Sequence, residues 1–260
     1  MQIATELPIH YQNVLAALTD YDFVIGCVYR DEPEYAKFYQ AQRRKGRFVI
    51  LDNGAFEGDL LEDDSLIAAI RELHPQEVVA PDVIGSRKET FERAVDFINR
   101  LQSENLRVRV QVCPQGHNFE EWTESYLELV NLPGVSTIGV SYVGHFDVPE
   151  DCSYFGSMDP WETIRVRFFH YLVGKRLLRD DKAHHLLGLC SPVALKWYAK
   201  YPFIRSIDTS FPVICALHRT QMGCGVEKFQ DKLNYKTQLT DEQLSLIIHN
   251  LCWMERECTS

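Results

Sequence analysis

Short apolar runs alternate with amphipathic stretches along almost the whole chain. Residues 23–28 (FVIGCV) are continuously apolar, the pattern of a strand covered on both faces. Residues 47–51 and 77–82 predict two further strands. Residues 107–113 predict another, with Arg107, Arg109 and Gln111 alternating against valines and Cys113. Residues 137–143, 185–189 and 204–208 follow as strands, and 232–236 is a further short candidate. Between them lie helical patterns. Residues 31–45 are helical and end at Gly46; 64–73 carry Leu66, Ile67, Ala69 and Ile70 as an inner stripe and stop at His74-Pro75. Residues 86–105 give the clearest helix, with Phe91, Ala94, Val95, Ile98 and Leu101 on one face. Residues 118–130 predict the next helix. Asp159-Pro160-Trp161-Glu162 opens a long one, with Asp as cap, Pro in the first turn and Glu completing a capping box. Ser191-Pro192 starts a short helix, and Thr240 with Gln243 caps a last one over 241–256. Residues 1–20 read as polar and helical, expected to pack outside the first strand.

Strand–helix alternation with about eight strands, and no linker rich in Pro, Gly or Ser, predicts an α/β fold built as a single (β/α)8 TIM-type barrel, one domain over residues 1–260. An open doubly wound sheet is the alternative. Residues 144–159 form the long irregular segment, expected to act as a lid at the barrel mouth.

Hydrophobic content of 45% and charged content of 25% suit a globular protein. No apolar run approaches the roughly 18 residues of a membrane span, and no secretion signal opens the chain. A cytoplasmic enzyme is the expectation. The net charge of −10 argues against broad, nonspecific adhesion to nucleic acid. Local basic strips remain: Arg43-Arg44-Lys45 with Arg47, Arg165 with Arg167, and Lys175-Arg176 with Arg179. The eight cysteines are scattered without a CxxC pair and read as reduced thiols. Neither they nor the adjacent His184-His185 predict a metal site, and no cofactor is expected.

Three predicted strands deliver an aspartate at their C-terminal ends: Asp52, Asp82 and Asp208. In a parallel β/α fold those ends share one face, the face that holds the active site. The expectation is a carboxylate-rich pocket.

The loops around these acids match a family pattern. Asp52-Asn53-Gly54-Ala55-Phe56 resembles the D-S-G-G-F signature of the tRNA-guanine transglycosylases. Cys113-Pro114-Gln115-Gly116 resembles their V-Q-G segment, and Ile138-Gly139-Val140 with Gly144 resembles their I-G-G-L-S-V-G run. Leu187-Gly188-Leu189-Cys190-Ser191-Pro192 is similar to G-V-G-T-P, Ile207-Asp208-Thr209-Ser210-Phe211-Pro212 to F-D-C-V-L-P, and Lys232-Leu233-Asn234-Tyr235-Lys236 to R-L-N-I-K. The family's zinc-binding cysteine cluster is missing after that last segment. The shorter chain looks more like the phage-type 7-deazaguanine DNA transglycosylases, which exchange guanine in DNA. Val140 stands where the family has glycine, and Val213-Ile214 where it has Thr-Arg.

The resemblance implies a pentosyl transfer that replaces guanine by a pre-queuosine-type 7-deazaguanine through a covalent aspartyl–sugar intermediate. It implies Asp208 as nucleophile and Asp52 as general acid/base or pocket organiser. Asp82 and Gln115 would read the Watson–Crick edge of the base, with the Gly139 amide close by. Phe56 could stack on the base or belong to the core, Ser141 would face the substituent at position 7, and Gly188 belongs to the matched G-V-G-T-P segment. DNA, with tRNA as alternative, and a free 7-deazaguanine base are the implied partners, and host cytoplasm the location for a phage-encoded enzyme. A hydrolase that only releases a base, and a degenerate barrel that binds nucleobases without catalysis, are the other readings. Basic residues at the barrel mouth are expected for a nucleic-acid substrate.

Overall fold

The computed structural model describes residues 1–141, 160–189, 191–224, 229 and 231–259. Eight parallel strands form a nearly closed barrel: β1 (Gln2–Thr5), β2 (Asp22–Val24), β3 (Val49–Leu51), β4 (Glu77–Val79), β5 (Arg109–Val112), β6 (Val135–Ser141), β7 (Ala183–Leu187) and β8 (Ile204–Thr209). Hydrogen-bonded neighbours run β1-β8-β7-β6-β5-β4-β3-β2. The remaining seam, between β1 and β2, is closed at its base by Asp20, whose amide donates to the Ile3 carbonyl at 2.8 Å and whose Oδ2 accepts from the Ile3 amide at 2.7 Å.

Among the described residues ten α-helices alternate with the strands: α1 (Gln12–Leu15), α2 (Gly26–Asp31), α3 (Pro33–Arg44), α4 (Asp63–Leu73), α5 (Arg87–Ser103), α6 (Phe119–Val130), α7 (Pro160–Gly174), α8 (Leu195–Tyr198), α9 (Phe211–Leu217) and α10 (Asp241–Thr259). Local chemistry sets several of their ends. Ser86 and Asn118 accept from the amides of Glu89 and Glu121 at the starts of α5 and α6. At α10 the capping box is reciprocal: Gln243 Oε1 accepts from the Thr240 amide, and Thr240 Oγ1 from the Gln243 amide. His74 ends α4 in a left-handed conformation, φ 50°.

Strand alternation splits the apolar residues between two layers. Val49, Leu51, Val78, Val110, Ile138 and Leu186 face outward into the layer under the helices. Ala4, Phe23, Ile25, Ile50 and Val79 fill the barrel interior. His184 and His185 are divided by the same rule. His184 points outward, its Nε2 3.1 Å from Tyr126 Oη, and its burial lowers its pKa to about 4. His185 points inward.

Three expectations are corrected. Residues 1–20 are helical only over 9–18: Gln2–Thr5 is itself the first strand, paired with β8 from Gln2–Ser206 to Thr5–Thr209. Four residues are too few to show a period, and the ladder with β8 supplies what the pattern lacks. The apolar run 23–28 ends as a strand at Val24, and α2 takes over from Gly26. Residues 232–236 form a turn: Asn234 Oδ1 accepts from the Lys236 amide at 3.0 Å, the local side-chain bond that competes with strand pairing. The lid expected over 144–159, the cap at Asp159, the strand end at Tyr142-Val143 and Cys190 lie outside the described residues. The six described cysteines are free, and among the described residues no helix is long and apolar enough to cross a membrane.

Candidate functional site

The barrel interior is polar at its base and acidic at its mouth. At the base, Arg205 forms a two-pronged ion pair with the fully buried Glu77, and Thr137 Oγ1 donates to Glu77 Oε2 at 3.1 Å. Above this lie Gln111 and Gly139. An ideal Cβ on Gly139 would stand 2.6 Å from Gln111 Nε2, so only glycine leaves that side chain its room. Higher still, the C-terminal ends of the strands open into a cavity of about 270 Å³.

Asp52, Asp82 and Asp208 all line this cavity, as do Gln115, Phe56, Ser141 and Gly188. Gly139 is the expected site residue that does not; it lies a layer below, against Gln111. Phe56 is 44% exposed at the rim rather than in the core, and the Lys232 ammonium lies 4.7 Å from its ring.

Asp82 is held between two amides: Asn53 Nδ2 donates to Oδ1 at 2.7 Å and Gln115 Nε2 to Oδ2 at 2.6 Å. These bonds partly offset burial, which raises its pKa. A carboxylate has about four lone-pair positions, so these two bonds do not exhaust it and a donor on a ligand can still be accepted. Asp52 turns back on its own loop and accepts from the Gly54 amide at 2.8 Å. Burial first, then the charge of Glu57, with Asp208 and Asp82 behind, raises its pKa well above the usual carboxylate range. Asp208 is 4% exposed. Its Oδ1 lies 2.9 Å from His185 Nε2 and accepts from the Gly188 amide at 3.4 Å. Both described bonds end on the same oxygen.

Gly188 sits at φ 71°, a left-handed turn that glycine takes at little cost. The turn is fixed from behind by Arg165, fully buried, which donates to the carbonyls of Val140, Leu187 and Gly188 at 3.1, 3.1 and 2.9 Å. Its charge is met by Glu162, which also accepts from Tyr198 Oη. Arg165 was expected on a surface strip; its partners bury it.

Four residues not expected at the site belong to it. Glu6 accepts from Tyr235 Oη at 2.7 Å. Burial, then the charges of Asp208 and Glu57, raise its pKa well above normal. Glu57 is raised by burial, and its Oε2 is buried without a partner among the described residues. His185 bonds Asp208, and Tyr235 lines the cavity beside Glu6. Glu6 had a readable signal: Ile3-Ala4-Thr5-Glu6-Leu7-Pro8 repeats the strand, acid and proline order of the Asp208 run. Cys113 also lines the cavity, where burial, then Asp82, hold its thiol well above its ordinary pKa and so disfavour the thiolate.

The other basic strips lie at the opposite end of the barrel. Arg43 and Arg44 occupy the last turn of α3, and Arg43 binds the carbonyl of His74 at the end of α4. Arg47 precedes β3 and pairs with Asp22. Arg179 precedes β7 and binds Asp181 and Asn131. At the mouth, Arg30 is paired with Asp31 and Asp59, and Lys236 with Glu32. Among the described residues the cavity lining carries Glu6, Asp52, Glu57, Asp82, Asp208 and Asp231 against Lys232, so the mouth is mainly acidic. Among those same residues, no three or more His, Cys, Asp or Glu side chains are placed to hold a metal ion. No family model and no curated protein matches the chain.

Proposed function

We propose that this protein is a transglycosylase that breaks and remakes the bond between a sugar and a purine-type base, exchanging guanine in DNA for a 7-deazaguanine. The observation that carries the reading is the pairing of two acids with opposite preparation on one cavity. Asp208 has one oxygen anchored and the other without a described bond. Asp52 is held toward its protonated form. Oδ2 of Asp208 attacks the anomeric carbon as its bond to the base nitrogen breaks, and Asp52 gives its proton to that nitrogen. The incoming base returns its proton to Asp52 and displaces Asp208 from the face that the first base left, opposite the ester, so that two inversions give net retention. Asp82 supplies an acceptor for the base edge, Gln115 supplies a donor by exchanging its 3.7 Å contact with Cys113 Sγ for the base, and the rim ring of Phe56 supplies a stacking face. The six sequence segments that resemble the transglycosylases include Asp52, Gln115, Gly188 and Asp208.

The test supplies labelled guanine or a pre-queuosine base with DNA and, in parallel, with tRNA. Label is expected in DNA with the wild type and in neither polymer with Asp208→Ala or Asp208→Asn. Incorporation into neither polymer by the wild type overturns the exchange reading, and undiminished Asp208→Ala overturns the nucleophile.

The acidic mouth favours a second reading, since phosphate backbones are repelled by such a surface. There the same two acids cleave a small nucleoside and water takes the place of the incoming base. Release of free base from a nucleoside, with no label entering either polymer, would select it.

A further inference from the structure

The hydrogen bond between His185 and Asp208 is the last link of a chain that starts at the opposite end of the barrel. Arg205 holds Glu77 through Nη1 and Nη2, both at 2.8 Å. Its remaining edge, Nε, donates to Ser206 Oγ at 3.1 Å. Ser206 Oγ is 2.8 Å from His185 Nδ1, and His185 Nε2 is 2.9 Å from Asp208 Oδ1. The imidazole is fully buried, stacked on Phe23 at 5.5 Å and met edge-on by Tyr21, so it cannot turn to other partners.

We infer that His185 is a positioning residue for Asp208, with its tautomer selected by the carboxylate and accommodated by Ser206 so that it delivers Nε2–H to Oδ1. A guanidinium has no acceptor. Ser206 Oγ therefore receives from Arg205, and its own proton can point at Nδ1; a hydroxyl could also accept there, so this end of the chain permits a bare Nδ1 without requiring it. At the other end a carboxylate only accepts, which requires the proton on Nε2. The two ends agree, and the bond at one ring nitrogen dictates the role of the other. The consequence falls on Asp208. Oδ1 is pinned by the imidazole and the Gly188 amide, and Oδ2 is the oxygen delivered to the cavity. When Oδ2 forms its ester to the sugar, Oδ1 becomes the ester carbonyl. The Nε2–H bond then polarises the carboxylate as a leaving group for the second displacement. No proton leaves His185 in either step.

The catalytic consequence rests on the transglycosylase reading; the tautomer does not. The experiment therefore has two arms. In the first, the protein labelled with ¹⁵N-histidine is examined by NMR between about pH 6 and 8. The expected signature at His185 is a protonated Nε2 and a bare Nδ1, with that preference weakened in Ser206→Ala. A proton on Nδ1 alone, or on both nitrogens throughout, overturns the inference whatever the enzyme does. In the second, base exchange is measured for His185→Gln, whose amide nitrogen can replace Nε2–H, and for His185→Phe, which fills the space without a donor. His185→Phe is expected to lose about 100-fold in kcat with little change in KM, the cost of a misplaced reacting group. His185→Gln is expected to recover most of that loss. Equal loss in two folded variants, or none in either, overturns the positioning role. A wild type with the expected tautomer but no exchange condemns the transglycosylase reading and leaves the chain standing.

Discussion

Arg165 Nη2 donates to the carbonyl of Gly188 at 2.9 Å, and the amide of the same glycine donates to Asp208. A fully buried cation thus sets the turn that touches the candidate nucleophile. Arg165→Met would remove the cation that meets the buried Glu162, a loss of about 3–5 kcal/mol. Arg165→Met combined with Glu162→Leu is expected to restore much of that stability. Urea unfolding of the single and double variants checks both, and equal stability of the two would refute the account.

Acidity at the mouth carries a stability cost. Burial, followed by neighbouring carboxylates, raises the pKa of Asp52 and Glu6 well above normal, and burial also raises Glu57. Folded protein then holds more protons than unfolded chain between the ordinary carboxylate pKa and the raised one, so stability falls as pH rises through that window. Asp52→Asn, which keeps an acceptor for the Gly54 amide, is expected to unfold at higher urea than the wild type near pH 7. The gap should close toward about pH 4, where the ordinary carboxyl group is half protonated. A gap independent of pH would mean that the charge is not its source.

Gly139 and Gln111 share a space sized for one side chain. Gly139→Ala places a methyl group 2.6 Å from Gln111 Nε2 and 3.0 Å from Leu187 Cδ1, and should cost about 1–3 kcal/mol through overpacking. Both polar atoms of Gln111 lack partners among the described residues. Adding Gln111→Ala therefore removes the closer of the two clashes without breaking a described bond, and is expected to recover part of the loss in thermal unfolding.

Phe56 is exposed enough to be changed with little effect on folding. Phe56→Ala is expected to weaken binding of a free 7-deazaguanine about tenfold, within the range of a lost base–aromatic stack. Its unfolding free energy should stay within about 0.5 kcal/mol of the wild type. Phe56→Trp should bind as well as the wild type. Calorimetric titration with the base decides; unchanged affinity in Phe56→Ala would place the base elsewhere.

The strand–helix alternation was readable because each element fixes its own period. Valines at alternate positions of residues 108–112 and the stripe of residues 66–70 need no distant partner to declare which face is apolar. The aspartates were readable because parallel strands in a barrel end on one face, so position along a strand fixes height in the barrel. Asp52, Asp82 and Asp208 meet at the cavity for that reason. What surrounds them was decided across the barrel. His184 and His185 are equivalent in a sequence window, and only the direction in which the strand faces makes one a core residue and the other a partner of Asp208. Glu6 enters the site because β1 pairs with β8, two segments at opposite ends of the chain. Arg165 read as a surface charge because nothing nearby in sequence announces the three carbonyls from β6, β7 and the turn beyond that bury it. Periodicity is a local property of the backbone, so the sequence alone determined the elements and the height of each acid. Which charges neutralise, raise or orient one another depends on distances set by barrel closure, and those belong to the tertiary structure.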